Sequence, residues 1–256
     1  ENVDILLVLL FIYFSSILCF VLPSLHGIET LESCKILAAA LCSSSCRLQE
    51  LDLSRCCQSS EDQALQLLSE AFRHPNFKIT VLRLEICSIK HETAPALFSA
   101  FQENPSHLRK LELSFFLPLT LELQQLFSLL ADPCFKLETL RIAHLRQLQA
   151  DSLETLASVL GSCSLRSLDL SMCGLTDSSV ELLSAGLSNP GCKLEILRMT
   201  HCSITEAGAA CLARALSSNP SHMREIDLSI NPVKGPGFDQ LRSVLEDPAT
   251  RLEKLT

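Results

Sequence analysis

One apolar rhythm in the sequence fits neither a lone strand nor a lone helix. In "LRSLDLSMCGLTD" (165–177), Leu165, Leu168, Leu170, Cys173 and Leu175 are separated by three, two, three and two residues. A half-buried strand repeats every two residues and an amphipathic helix every three to four. The rhythm restarts at Leu48, Ile79, Leu108, Leu137, Leu165, Leu194, Met223 and Leu252, at spacings of 31, 29, 29, 28, 29, 29 and 29. Second and third beats follow at Leu51 and Leu53, Leu82 and Leu84, Leu111 and Leu113, Leu140 and Ile142, Leu197 and Met199, and Ile226 and Leu228. A fixed period of this size marks a stack of like units, each burying its apolar face against its neighbours.

Each copy carries a second pattern downstream. Val180, Leu183 and Leu187 share one helical face, as do Ala209, Leu212 and Leu216, and Phe238, Leu241 and Leu245. Leu123, Leu126 and Leu130 repeat it earlier, and Cys34, Leu37 and Leu41 earlier still. Asp177 and Glu206 suit helix N-termini. The segments "ENP" (103–105), "SNP" (188–190), "SNP" (218–220) and "EDP" (246–248) then stop the helix, because the residue before proline avoids helical backbone. The unit is a strand, a turn, a helix and a return loop. The expected fold is therefore α/β, a solenoid of about eight repeats with a curved parallel sheet on the concave side and helices on the convex side. The first three beats point inward from the strand and the fourth turns inward as the chain leaves it.

The pattern resembles the leucine-rich repeat consensus L-x-x-L-x-L-x-x-N/C-x-L, with Cys56, Cys87, Cys173, Cys202 and Asn231 at the N/C position. Asparagine there can bond to open backbone groups, and cysteine offers a small apolar body with a weak donor. Phe116 and Leu145 break the rule, which predicts distorted turns after residues 113 and 142. The repeat length and helical return arm resemble the ribonuclease-inhibitor class. "NPSHLRKLELS" (104–114), "NPGCKLEILRMTHCSIT" (189–205) and "NPSHMREIDLS" (219–229) are similar to the terminal repeats of NACHT-containing NOD-like receptors. That resemblance implies a cytosolic, non-enzymatic arm that senses a ligand or restrains the receptor. Its partners would be another protein or the chain's own missing NACHT-type domain. A free-standing inhibitor of an enzyme, or a membrane-anchored repeat receptor, are the alternatives.

Other chemistry finds little to build on. The net charge of −8 argues against nucleic acid as a partner. The thirteen cysteines are odd in number and contain no C-x-x-C pair. Most fall at fourth beats or in return loops, so free structural thiols are expected. Neighbouring pairs such as Cys163 with Cys192, or Cys173 with Cys202, could nonetheless lie close enough to bridge. The group Cys34, Cys42, Cys46, Cys56 and Cys57 lacks zinc-site spacing. No catalytic, metal or cofactor residues are assigned, since no hydrolytic triad, H-E-x-x-H or phosphate-cradling loop appears.

The residue between the second and third beats faces the exposed sheet: Asp52, Arg83, Glu112, Arg141, Asp169, Arg198 and Asp227, with alternating sign. Such a ladder either neutralises itself across the sheet or forms a polar strip for a protein partner. Ile86, Phe115, His144, Met172, His201 and Ile230 flank it two positions after the third beat, with Phe115 the expected anchor. The candidate contact face therefore comprises the ladder with Phe115, His144, Met172 and His201.

Residues 1–28 form a hydrophobic segment ahead of the repeat domain at 29–256, which reads as truncated at its C-terminal end. Within that segment, residues 5–22 hold no charge and are long enough for a membrane span. A hydrophobic cap on the first repeat and sequence foreign to the mature protein are the other accounts.

Overall fold

A computed structural model describes residues 31–44, 46–54, 63–85, 93–104, 107–114, 120–145 and 147–256. The chain divides into two compact units, Glu1–Glu122 and Leu123–Thr256. The first contains α1 (Leu31–Leu41), β1 (Glu50–Asp52), α2 (Gln63–Arg73), β2 (Val81–Leu84), α3 (Ala94–Glu103) and β3 (Lys110–Ser114). Helix α4 (Thr120–Leu129) crosses the division. The second holds β4 (Thr139–Ala143), α5 (Ala150–Val159), β5 (Ser167–Asp169), α6 (Asp177–Leu187) and β6 (Ile196–Arg198). It continues with α7 (Glu206–Ser218), β7 (Glu225–Asp227), α8 (Pro236–Glu246) and β8 (Lys254–Leu255).

Within each unit, strands pair in parallel and in sequence order, with register set by the rhythm. Leu51, Leu82 and Leu111 are partners across β1–β3. Leu140, Leu168, Leu197, Ile226 and Leu255 are partners across β4–β8. The described first, second and third beats are buried except Leu255, which is half-buried on β8. A fully buried aliphatic side chain contributes about 1.5–3 kcal/mol, so slipping the register by one residue would forfeit several such terms at once. The helical anchors are also inside, including Cys34, Leu37, Leu126, Val180, Leu183 and Leu212. In the first unit Phe72 stacks on Phe101 at 6.2 Å and meets Phe77 at 4.7 Å.

Proline does not stop the helices alone; at 104 and 219 the asparagine before it also joins two repeats. Asn104 Nδ2 donates to the carbonyls of Phe72, His74 and Phe77 at 3.2, 2.9 and 3.1 Å. Asn219 Nδ2 donates to those of Leu187, Asn189 and Cys192 at 3.1, 3.0 and 3.2 Å. These are return-loop and helix-end carbonyls of the preceding repeat; those of His74 and Asn189 also accept the Phe77 and Cys192 amides, both at 2.9 Å.

The fourth-beat side chains form a second column. Cys173 Sγ donates to the Ile142 carbonyl at 3.1 Å and Cys202 Sγ to that of Leu170 at 3.8 Å. Asn231 Nδ2 donates to the Met199 carbonyl at 2.7 Å. Each thus reaches the third beat of the repeat before it. The distortion expected after residue 142 does not occur. His144 takes φ 59°, matching Met172, His201 and Ile230 at 58°, 50° and 61°, and Leu145 packs inside. Leu145 has no polar group to offer, but Cys173 of the next repeat holds the turn from its side: its Sγ donates to the Ile142 carbonyl and its own carbonyl accepts the Leu148 amide at 3.0 Å. Phe116, Cys56, Cys57 and Cys87 lie outside the described residues.

Cys163, Cys173, Cys192 and Cys202 are free thiols. Burial pushes Cys34 up to about 11 and Cys173 up to about 12, so both stay protonated and unreactive at neutral pH. Among the described residues no helix is long and apolar enough to cross a membrane. Residues 5–22, for which a membrane span, a hydrophobic cap and foreign sequence were the three accounts, lie outside them.

Candidate protein-contact face

The outer face of the sheet starts with the ladder residues, and the structure gives its aspartates a second task. Asp52 Oδ1 accepts the Ser54 amide at 2.9 Å, Asp169 Oδ1 the Ser171 amide at 3.0 Å, and Asp227 Oδ1 the Ser229 amide at 2.9 Å. A short side chain that bonds its own backbone two residues on makes a turn. The recurring D-L-S triplet is therefore the device that ends each of these strands. Ser54 Oγ then accepts the Glu85 amide at 3.2 Å and Ser171 Oγ the Thr200 amide at 3.1 Å, tying the exit of one strand to the next repeat.

The ladder partners lie side by side: Asp52, Arg83 and Glu112 in the first unit, and Arg141, Asp169, Arg198 and Asp227 in the second. Their ion pairs are not all lateral. Arg83 reaches Glu112 at 2.7 Å but also Glu50 at 3.1 Å; Arg141 reaches Asp169 at 3.2 Å. Arg198 turns instead to Glu225 at 2.9 Å. Lys254 meets the same Glu225 at 3.2 Å.

A second ladder was missed from sequence. The residue after the first beat reads Arg109, Glu138, Arg166, Glu195, Arg224 and Glu253, also alternating. Arg166 pairs with Glu195, Glu195 with Arg224 at 3.8 Å, and Arg224 with Glu253. Within the second unit its sign opposes that of the first ladder in each repeat that carries both, at Glu138 and Arg141, Arg166 and Asp169, Glu195 and Arg198, and Arg224 and Asp227, giving a checkerboard. The same count at the same period would have found it. Exposed pairs of this kind contribute about 0.2–1 kcal/mol each, so the checkerboard balances charge more than it stabilises the fold.

Burial works to raise Asp227, but the Ser229 hydroxyl and amide, Thr256 and nearby Lys254 together hold it below the ordinary carboxylate range. A depressed carboxylate adds stability that is complete above its unfolded value of about 3.9 and is lost as pH falls through its lower folded value. Asp227→Ala is therefore expected to cost about 1–2 kcal/mol at neutral pH. Its difference from the parent should shrink in urea titrations repeated below the folded value.

Beyond each turn stands an outward row. His144 and His201 are exposed, Met172 is half-buried, and Ile230 is 75% exposed. All four occupy left-handed backbone without being glycine. That conformation costs an L residue roughly 1–2 kcal/mol and is least suited to β-branched isoleucine, so the surrounding turn must enforce it. Phe115 and Ile86, expected in the same row, lie outside the described residues. Among the described residues no group of three or more His, Cys, Asp or Glu side chains is placed to hold a metal ion. The face thus offers charge already neutralised in its own plane, bordered by a row of imidazole, thioether and aliphatic groups.

Comparison with known proteins agrees with this architecture. Residues 161–184 and 192–213 match the family described as Leucine Rich repeat. Human NACHT, LRR and PYD domains-containing protein 12 is 34% identical over 249 residues, covering 86% of this chain and 23% of that protein. Its mouse counterpart is 35% identical over 227 residues, covering 88% and 21%. Pig ribonuclease inhibitor is 33% identical over 229 residues, covering 88% of this chain and 48% of the inhibitor. The chain spans less than half the length of each of these relatives. With the parallel strands and the buried beats, these matches identify the chain as a leucine-rich repeat region of the kind found in NOD-like receptors and ribonuclease inhibitors.

Proposed function

We propose that this region is a non-catalytic protein-contact arm of a cytosolic NOD-like receptor, acting by recognising a ligand or by holding a NACHT-type domain inactive. The observation that carries the reading is the outer sheet face, where charge is balanced in place beside outward side chains held in left-handed backbone. Such a face can bind protein without performing chemistry. The likeness to NACHT-bearing relatives supports the receptor over other repeat proteins. Partner recognition uses the ladder arginines Arg141 and Arg198 together with His144, Met172 and His201.

The second reading, an enzyme inhibitor, draws on the ribonuclease inhibitor match, which covers a larger share of that relative than of the NACHT proteins. A strongly basic enzyme would favour a face with surplus acid. Here Glu112, Asp169, Glu195, Glu225 and Glu253 already lie against arginine or lysine.

The two readings separate in one binding experiment. The chain is titrated against the NACHT-bearing segment of the human relative and, in parallel, against a basic ribonuclease with activity followed. Saturable binding to the first and undiminished ribonuclease activity are expected. Arg141→Glu with Arg198→Glu should weaken that binding about tenfold, the loss of roughly 1.4 kcal/mol, with circular dichroism unchanged. Tight inhibition of the ribonuclease without NACHT binding would establish the inhibitor instead. Binding that ignores the double reversal would leave the ladder purely architectural.

A further inference from the structure

The residue just ahead of the first beat makes a row that neither ladder uses. In the second unit it reads Lys136, Ser164, Lys193, His222 and Arg251; in the first, Arg47, Lys78 and His107. Each stands next to a buried first beat, which fixes its backbone where the return loop enters the strand. Lys136, Lys193 and Arg251 are exposed, and among the described residues none of the three lies in an ion pair or a side-chain hydrogen bond.

Carboxylates on this side of the second unit are already engaged. Glu195 lies against Arg166 and Arg224, and Glu253 against Arg224. The return-loop carboxylates Asp132 and Asp247 turn onto their own backbone, accepting the Cys134 and Ala249 amides, both at 2.8 Å. Along the row and the second ladder beside it, Lys136, Arg166, Lys193, Arg224 and Arg251 stand against Glu138, Glu195 and Glu253. Positive charge is therefore in surplus along this edge, in a chain whose net charge is −8.

Spacing says what kind of anion fits. The three unpaired cations occupy alternate repeats, with Ser164 and His222 between them. Neighbouring strands lie about 4.8 Å apart, which sets these cations about 9.6 Å apart. An extended polyproline II segment makes one turn in three residues and rises about 9.3 Å, so every third side chain returns to the same edge at nearly this interval. A nucleic-acid strand carries a charge about every 3.4 Å, far denser than the row, and sets its surplus phosphates against the ladder carboxylates.

We propose that this edge of the second unit binds an extended acidic segment of a partner protein, with a carboxylate at every third residue meeting Lys136, Lys193 and Arg251 in turn. The site goes beyond the contact-arm reading and uses none of the residues named for it. A segment already held in polyproline II loses little freedom on docking, which suits a contact made of exposed ion pairs.

The probe is a fluorescent peptide of four Asp-Pro-Pro triplets, titrated by anisotropy against the whole chain. Salt is kept at about 0.1 M, where screening over about 10 Å limits the reading to nearby charge. A peptide of the same composition with its aspartates consecutive, and a single-stranded oligouridylate of equal charge, are the comparisons. Saturable binding of the triplet peptide, about tenfold tighter than either comparison, is expected. Lys136→Gln with Lys193→Gln and Arg251→Gln should weaken it about tenfold, as losing three exposed ion pairs together gives, with circular dichroism unchanged. Lys193→Arg keeps the charge and should bind as the parent does. Arg141→Glu with Arg198→Glu should leave peptide binding intact, which separates this result from that of the ladder. Absence of binding, equal affinity for the consecutive peptide or the oligouridylate, or binding that survives the triple neutralisation would overturn the proposal. Loss of the peptide on reversing Arg141 and Arg198 would overturn it too, by placing the segment on the outer face.

Discussion

Asn219→Asp is expected to lower the unfolding free energy by about 3–5 kcal/mol, the largest effect of any single polar change considered. The wild-type amide is 8% exposed and donates to three carbonyls belonging to the end of α6 and its return loop. Aspartate has nearly the same shape, so packing is preserved and only the chemistry changes. Three carbonyl oxygens lose this donor, although that of Asn189 keeps the Cys192 amide at 2.9 Å, and a carboxylate oxygen then faces them. Protonation would relieve the charge but leave at most one donor for three acceptors. Asn219→Ser should cost less, about 1–3 kcal/mol, because it removes the bonds without adding charge. Urea unfolding followed by circular dichroism measures both. A change under about 1 kcal/mol in the aspartate variant would mean that the asparagine column does not hold neighbouring repeats together.

Gly186→Ala sets two effects of opposite sign against each other. Glycine inside α6 is unfavourable, and alanine there should gain about 1 kcal/mol of helix propensity. However, a Cβ on Gly186 would stand 2.4 Å from the Ala157 carbonyl oxygen and 2.9 Å from its Cα. Both are backbone atoms of α5, so no side chain can swing aside, and the two helices must separate. Overpacking of that kind costs about 1–3 kcal/mol or more even in flexible surroundings, and here it outweighs the propensity gain. A net loss of about 2 kcal/mol is expected, from the same two terms. Glu181→Ala, at an exposed site on the same helix, should stay within about 0.5 kcal/mol and serves as the control. Stabilisation by Gly186→Ala would show that α5 and α6 pack less closely than described.

The parts of the fold legible in the sequence are those where one physical demand repeats. Leu168, Leu197 and Ile226 must all be buried from the same strand position, so their period exposes the strand stack. Val180, Leu183 and Leu187 likewise declare a helical face. The site was harder to read where one residue serves two ends. Asp169 counts as a ladder charge in the sequence, yet its Oδ1 also makes the turn that presents Met172. His144, Met172, His201 and Ile230 carry no glycine signal for left-handed backbone, since the surrounding turn imposes it from outside. The turn after residue 142 was misjudged for a related reason: bonds to Ile142 and Leu148 that hold it come from Cys173, one repeat away. The Asn219 amide was hidden behind the proline that follows it.

Scalar couplings across hydrogen bonds, measured on perdeuterated protein, test the repeat stacking on which the contact face depends. The structure requires them from the Leu170 amide to the Arg198 carbonyl, from Met199 to Asp227, and from Leu228 to Thr256. Each joins residues one repeat apart and running the same way. Couplings at those three pairs are the expected result. Couplings that connect successive repeats in antiparallel order, or in a register offset by one residue, would contradict it, because the beats would then face solvent and the ladders the core.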